Sequence, residues 1–228
     1  QKLVEHAQLG DSAFIDHGAT RVLECWQDDV PHGQTTDFYR AVDAKDDEAV
    51  VFSWIEWPDK AVHDEMDSKM GEIMASDDRF NPEKNPMPFD GKRMIYGGFE
   101  PIVEKGTATP GSYVQGFIVP VPAAKQEAYR TMGEEAWPMF HEFGALRLVE
   151  CWGVDVPAGK LTDFRRAVKA EADEKVVFSM MEWPSREVCS KAHELMMQDE
   201  RMQAPPEMPF DGKRMVYGGF QPIVALEK

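Results

Sequence analysis

Long apolar runs are missing from this 228-residue chain. Nothing approaches the roughly 18–20 consecutive apolar residues that a membrane-spanning helix needs, so insertion into a bilayer is not expected. Positive charge is scarce. Lys and Arg number 25 against 41 Asp and Glu, a formal net charge of −16. With no basic stripe or tail to offset it, that charge repels phosphate backbones and argues against a nucleic-acid partner. Cysteine is nearly absent: Cys25, Cys151 and Cys189 form no C-x-x-C pair, and an odd count makes a poor disulfide framework, which fits a reducing, cytoplasmic setting. No secretory signal is visible, and a chain opening on Gln1 is expected to have lost its native start. Cofactor signatures are lacking too. The six histidines show no H-x-x-x-H or H-E-x-x-H spacing, and no G-x-G-x-x-G or G-x-x-x-x-G-K-S/T loop occurs. Metal ions, haem and nucleotide cofactors are therefore not expected.

What the chain does contain is itself, twice. Residues 87–103 read M-P-F-D-G-K-R-M-I-Y-G-G-F-E-P-I-V, and residues 208–224 differ only at Val216 and Gln221. A self-match of this length and spacing marks two copies of a whole domain rather than a solenoid unit. The first copy spans 1–105, a polar linker covers 106–112, and the second copy spans 113–228. In each, Asp-Gly reads as a turn feeding a strand. The Gly97-Gly98 pair inside that strand marks either a bulge or a place where a ligand or another backbone comes close.

Taken in order, the first copy predicts a helix to His17 ended by Gly18. Strands follow over 20–26, 37–42 and 50–58, then a helix over 59–76 and the strand of the repeated motif. The second copy adds an opening strand over 113–121 before its helix at 124–143. The first copy has no counterpart to that strand, so its sheet is expected to want an opening strand. The fold class is α+β: two ferredoxin-like domains, each an antiparallel sheet with two helices and one extra hairpin strand, paired as a pseudo-twofold α+β barrel. Apolar residues on both faces of several strands call for that pairing.

Three ionisable residues recur in both copies among large apolar strand neighbours. By strand alternation Glu24 shares a face with Trp26, Arg40 with Phe38, and Glu56 with Trp54. Glu150, Arg166 and Glu182 are their equivalents, and Trp152 that of Trp26. Charges so placed should be paired, and each Glu–Arg–Glu trio is expected to converge, with Tyr96 or Tyr217 as a further donor. Two uses fit such a trio. It is either an ion group fixing how the sheets pair, or the polar end of an apolar ligand cavity in which a carboxylate serves as general base. Arg21 and Arg147 also recur, on the opposite strand face.

At E-C-W, D-F-x-x-A-V, V-V-F-S and M-P-F-D-G-K-R-M-x-Y-G-G-F the chain resembles the YbaA-like bacterial family of unknown function, within the dimeric α+β barrel superfamily. The resemblance implies ferredoxin-like domains whose sheets pair face to face, and the family carries no established reaction. Three functions follow as expectations: binding of a small apolar or aromatic ligand between sheets, a cofactor-independent monooxygenase or isomerase, or a structural or protein-interaction module. The expected assembly is an intrachain pseudo-dimer, open to further homo-oligomerisation.

Overall fold

The computed structural model describes residues 1–203 and 207–228. Helix α1 (Lys2–Asp16) leads to strand β1 (Arg21–Asp29), the single-turn helix α2 (Phe38–Ala41), strand β2 (Val51–Glu56), helix α3 (Lys60–Ser76) and strand β3 (Gly98–Gly106). The second copy runs β4 (Tyr113–Pro122), α4 (Gln126–Glu142), β5 (Arg147–Asp155), α5 (Phe164–Ala167), β6 (Glu174–Trp183), α6 (Arg186–Met196), the short α7 (Glu200–Gln203) and β7 (Val216–Glu227). The glycines after α1 and α4 are required where they stand. Gly18 and Gly144 adopt φ +110° and +104°, and a Cβ there would lie 2.6 Å from Val62 and 2.9 Å from Val188.

The chain divides into two compact units that cut across the two repeats. Unit 1 comprises 1–26, 51–91 and 222–228; unit 2 comprises 27–50 and 92–221. In unit 2 the strands order as β7-β4-β6-β5-β3, antiparallel throughout. The second copy thus supplies a β-α-β-β-α-β ferredoxin-like motif, with its opening strand β4 in the interior, as expected of that fold. The fifth strand, β3, comes from the first copy and pairs along β5. In unit 1 the order is β2-β1-β7, with the second half of β7 contributed by the second copy. Each copy therefore lends its final strand to the other copy's unit. Apolar burial is concentrated where unit 2 helices cover the sheet: Leu148, Met181 and Trp183 pack against Met139 and Ala192.

The strands expected over 37–42 and 163–168 are single helical turns instead, and the extra hairpin strand does not form. The Asp37 carboxylate accepts from Arg40 N at 2.7 Å and from Gly33 N at 3.1 Å; Asp163 accepts from Arg166 N at 2.8 Å and Gly159 N at 3.2 Å. An Asp that caps a helix start satisfies otherwise orphaned N–H groups, and here that local chemistry overrides the alternation of Phe38 and Val42. With the middle strand gone, the flanking strands become direct neighbours. Arg21 stands opposite Glu56 and Arg147 opposite Glu182.

The repeated motif has a structural use. Arg93 makes a bidentate pair with Glu48, at 2.5 and 2.6 Å, and donates to Asp43 O; Arg214 does the same to Glu174, at 2.7 Å twice, and to Lys169 O. Asp43 and Lys169 sit at φ 51° and 50°, just past the short helices. The guanidinium thus closes over a turn whose left-handed residue would otherwise be a weak point. The glycine pair is a bulge in the first copy, as expected, and meets a side chain rather than a ligand or a backbone in the second. Pairing of β3 with β5 shifts register between Gly98 and Phe99, a bulge. In the second copy Gly219 admits a close neighbour, since a Cβ there would lie 2.1 Å from the Tyr113 hydroxyl oxygen.

Candidate functional site

The trios do not assemble as alternation suggested. In unit 2, Arg166 lies on α5, donates to the backbone carbonyls of Lys160 and Leu161 and pairs with Asp163 at 3.3 Å, its side chain half exposed. Arg40 makes the equivalent contacts with Gly33 O and Asp37. The physical reason is the capping turn, which places both arginines on a helix. Glu182 is fully buried and pairs with Arg147 at 3.4 Å, while Arg147 also reaches Glu104 at 2.7 Å. Unit 1 repeats that arrangement with Arg21, Glu56 and Glu227. Cross-strand opposition, which directs side chains to one face, makes Arg21 and Arg147 the partners in place of Arg40 and Arg166.

Glu24 and Glu150 occupy a different environment, beneath the first helix of each copy. A Cβ on Gly133 of α4 would lie 3.3 Å from Val103 and 3.7 Å from Glu150, so the helix passes close over the carboxylate. Tyr129 donates to Glu150 Oε2 at 2.8 Å, and Ser179 donates to the same oxygen. Burial raises the Glu150 pKa and pushes that of Tyr129 well above its ordinary value. Both donors meet on one oxygen, and Trp152 is buried nearby. In unit 1, Ser53 donates to Glu24 Oε2 at 2.6 Å, but Leu3 stands at the position equivalent to Tyr129. The neighbour instead is Asp11, whose charge helps burial raise the Glu24 pKa to about 8. Asp11 itself is pushed up to about 7 by burial. Trp26 and Tyr96 are exposed.

A cleft of about 240 Å³ opens in unit 2, lined by Tyr113, Gln115, Cys189, His193, Tyr217 and the Gly218-Gly219 backbone, with Asp29 and Pro31 at its side. Of the residues singled out in sequence, Tyr217 lines it. The side chains here are ordered by a chain of hydrogen bonds. Trp183 Nε1, which can only donate, gives its hydrogen to Gln115 Oε1 at 3.3 Å. That fixes the amide, so Gln115 Nε2 donates to His193 Nε2 at 2.9 Å and the ring carries its proton on Nδ1. Burial lowers the His193 pKa, in keeping with a neutral ring. Tyr113 donates to Asp28 at 3.1 Å, and Asp28 also holds Arg186. Burial and that carboxylate raise the tyrosine's pKa, while burial pushes the Cys189 thiol up to about 12, with Asp29 adding to it. The thiol is therefore no nucleophile here. The cleft is a feature of one copy: His193 and Cys189 are matched in the first copy by Asp67 and His63. The single signal that pointed to it was the strand glycine pair. Among the described residues no group of three His, Cys, Asp or Glu could hold a metal ion, and no helix is long and apolar enough to cross a membrane.

The family model described as "Protein of unknown function (DUF1428)" matches residues 1–91 and again 112–212. Uncharacterized protein YbaA of Escherichia coli (strain K12) is 62% identical over 113 residues, covering 49% of this chain and 97% of that protein; YbaA of Shigella flexneri matches equally. Among solved structures, an anthrone oxidase-like protein shares the fold with TM-score 0.50 at 12% identity, over 96% of this chain and 87% of that one. A putative monooxygenase from Lactobacillus acidophilus NCFM does so with TM-score 0.52 at 11% identity, over 98% and 87%. At such identities the likeness is one of fold.

Proposed function

We propose, for a chain that belongs to the DUF1428 family of unknown function, that it binds a small, neutral, hydroxylated aromatic molecule in the unit 2 cleft. The observation that carries this reading is the Trp183–Gln115–His193 chain, which holds a neutral imidazole in one tautomer beside a wall of glycine backbone. Ordering three polar side chains in this way, two of them buried (Trp183 and Gln115), costs conformational freedom that a filled core would not require. The glycine pair keeps one wall flat, which suits a planar ring. The volume of about 240 Å³ lies below the roughly 300–1,000 Å³ typical of drug-sized ligands, so one ring, or two fused ones, is the upper size. Asp28 and Asp29 give the site negative potential, which disfavours anions and offers an acceptor to a phenolic hydroxyl.

A second reading, cofactor-independent oxygenation or isomerisation of such a ring, is supported by the fold shared with the anthrone oxidase-like and monooxygenase-named structures. It would need a base for the phenolic proton. His193 Nε2 already accepts from Gln115, which leaves the Asp29 carboxylate among the cleft-lining groups.

The test is NMR titration with phenol, catechol and 2-naphthol, with oxygen consumption followed in parallel. Saturable shifts centred on Tyr113, His193 and Gly219 are expected. Gln115→Leu should weaken binding roughly 2- to 10-fold, the worth of one hydrogen bond. Unsaturable shifts, or equal affinity in Gln115→Leu, refute the binding reading; oxygen uptake that depends on the ring and is lost in Asp29→Asn establishes the second.

A further inference from the structure

We propose that Asp11 and Glu24, with Ser53, form a receptor in unit 1 for the ammonium group of a small primary amine. Nothing in the cleft-binding reading requires this, and the site lies on other residues.

The starting point is a deficit of donors. Ala7, Gly10, Asp11 and Ala13 are the buried residues of α1, and the spacing from Ala7 to Asp11 puts the carboxylate on the helix stripe that covers the strands. Asp11 is nine-tenths buried, and its Oδ2 has no hydrogen-bond partner. A buried acceptor left this way is costly and calls for an explanation. Its charge acts on Glu24, which receives one donor, from Ser53 at 2.6 Å. Nearby cations are committed elsewhere: Arg79 donates to Ser12, Asp16 and Asp77, and Lys84 pairs with Asp78. His6, also on α1, is bonded to Asn85.

The second copy shows what a structural solution to the same geometry looks like. There the tyrosine at position 129, with Ser179, donates to Glu150 Oε2, so that carboxylate holds two donors. In unit 1 that tyrosine is replaced by Leu3, and a second carboxylate is added. The exchange removes a donor and adds an acceptor, the opposite of what packing alone would favour.

An ammonium group suits the resulting set. Its three N–H donors match Asp11 Oδ2, the Glu24 carboxylate and Ser53 Oγ, and its charge neutralises a pair that otherwise keeps a proton. A calcium ion fits less well, since it takes six to eight oxygens and two carboxylates with one hydroxyl offer five at most. Glu24 is partly exposed, which provides a route for a small cation.

The experiment uses the whole chain with methylammonium chloride as probe and tetramethylammonium, which has the charge but no N–H, as control. Carboxyl carbon shifts of Asp11 and Glu24 should saturate with methylammonium alone. As pH rises towards about 8, affinity should increase up to tenfold per unit for each carboxyl that must give up its proton, and it should level off above. Asp11→Asn should abolish saturation and Glu150→Gln leave it unchanged. If Asp11→Asn does not fold, Ser53→Ala replaces it, and a loss of at least threefold is expected. Equal response to tetramethylammonium, tighter binding of calcium chloride, no saturation, or unaltered affinity in Asp11→Asn or its replacement would each overturn the proposal.

Discussion

Replacing Asp11 with Asn should make the protein much more stable at pH 8 and only modestly more stable at pH 5. Asp11 ionises at about 7 in the fold against 3.8 in the unfolded chain, because burial disfavours its charge. Between those values the folded state holds the extra proton, so stability falls as pH rises from about 4 through 7, and the whole loss is present above. A shift of roughly three units at 1.36 kcal/mol each is worth about 4 kcal/mol. Asn has nearly the shape of the protonated acid and cannot ionise, so it keeps what Asp loses. Glu24 adds to the effect, since removing Asp11 takes away one of the two causes that raise its pKa. Urea titrations of the wild type and the variant at pH 5, 6, 7 and 8 measure the difference directly. A gap that grows towards about 4 kcal/mol between pH 5 and 8 is expected. A gap independent of pH, or a variant less stable at pH 8, would mean that Asp11 is solvated or paired in the fold, and the amine site would fall with it.

Arg147→Met should cost about 3–5 kcal/mol, because it removes the cation paired with the fully buried Glu182, whereas Arg166→Met should stay within about 1 kcal/mol, its charge partner being capped by backbone in any case. Thermal unfolding of the pair separates the two arginines, and equal losses would contradict the assignment of partners. Arg214→Met should be as damaging as Arg147→Met, since it leaves Glu174, 5% exposed, without its bidentate cation; pH dependence checks it, because the wild-type contribution of Glu174, whose pKa is lowered mainly by Arg214, is lost as pH falls below the ordinary carboxylate range. Cys189, with its thiol pushed up to about 12, should react with iodoacetamide at pH 8 far more slowly than a free thiol, and labelling at the rate of glutathione would refute its burial.

The repeat, the four long helices, the interior opening strand of the second copy and the α+β class were legible, because each rests on periodicity or on a long self-match. The error at 37–42 and 163–168 came from weighing side-chain alternation above a capping aspartate. In a six-residue window two apolar residues with matching parity fit a strand as well as a turn of helix, while the Asp–Gly contact that decides spans four residues and shows only in three dimensions. The arginine partners were misassigned for the same reason. Glu24 and Glu150 were found because they recur, but their neighbours Asp11 and Tyr129 lie on first helices that diverged between copies, so recurrence was blind to them. The cleft escaped because Gln115, Cys189 and His193 occur in one copy only.

The exchange of final strands sets a timetable for synthesis. Strand β1 has β2 on one side and, on the other, a segment of β7 that leaves the ribosome some 130 residues after the rest of unit 1. At about 5–20 residues per second this is a wait of roughly 7–26 s, during which β1 presents an unpaired edge. A nascent chain in that state invites the wrong strand, from a neighbouring polysome or from its own β3, whose sequence nearly duplicates that of β7. The near identity of the two motifs is then a hazard as well as a record of duplication, and slow codons within 107–215 would lengthen the hazardous interval without altering a single contact in the finished protein.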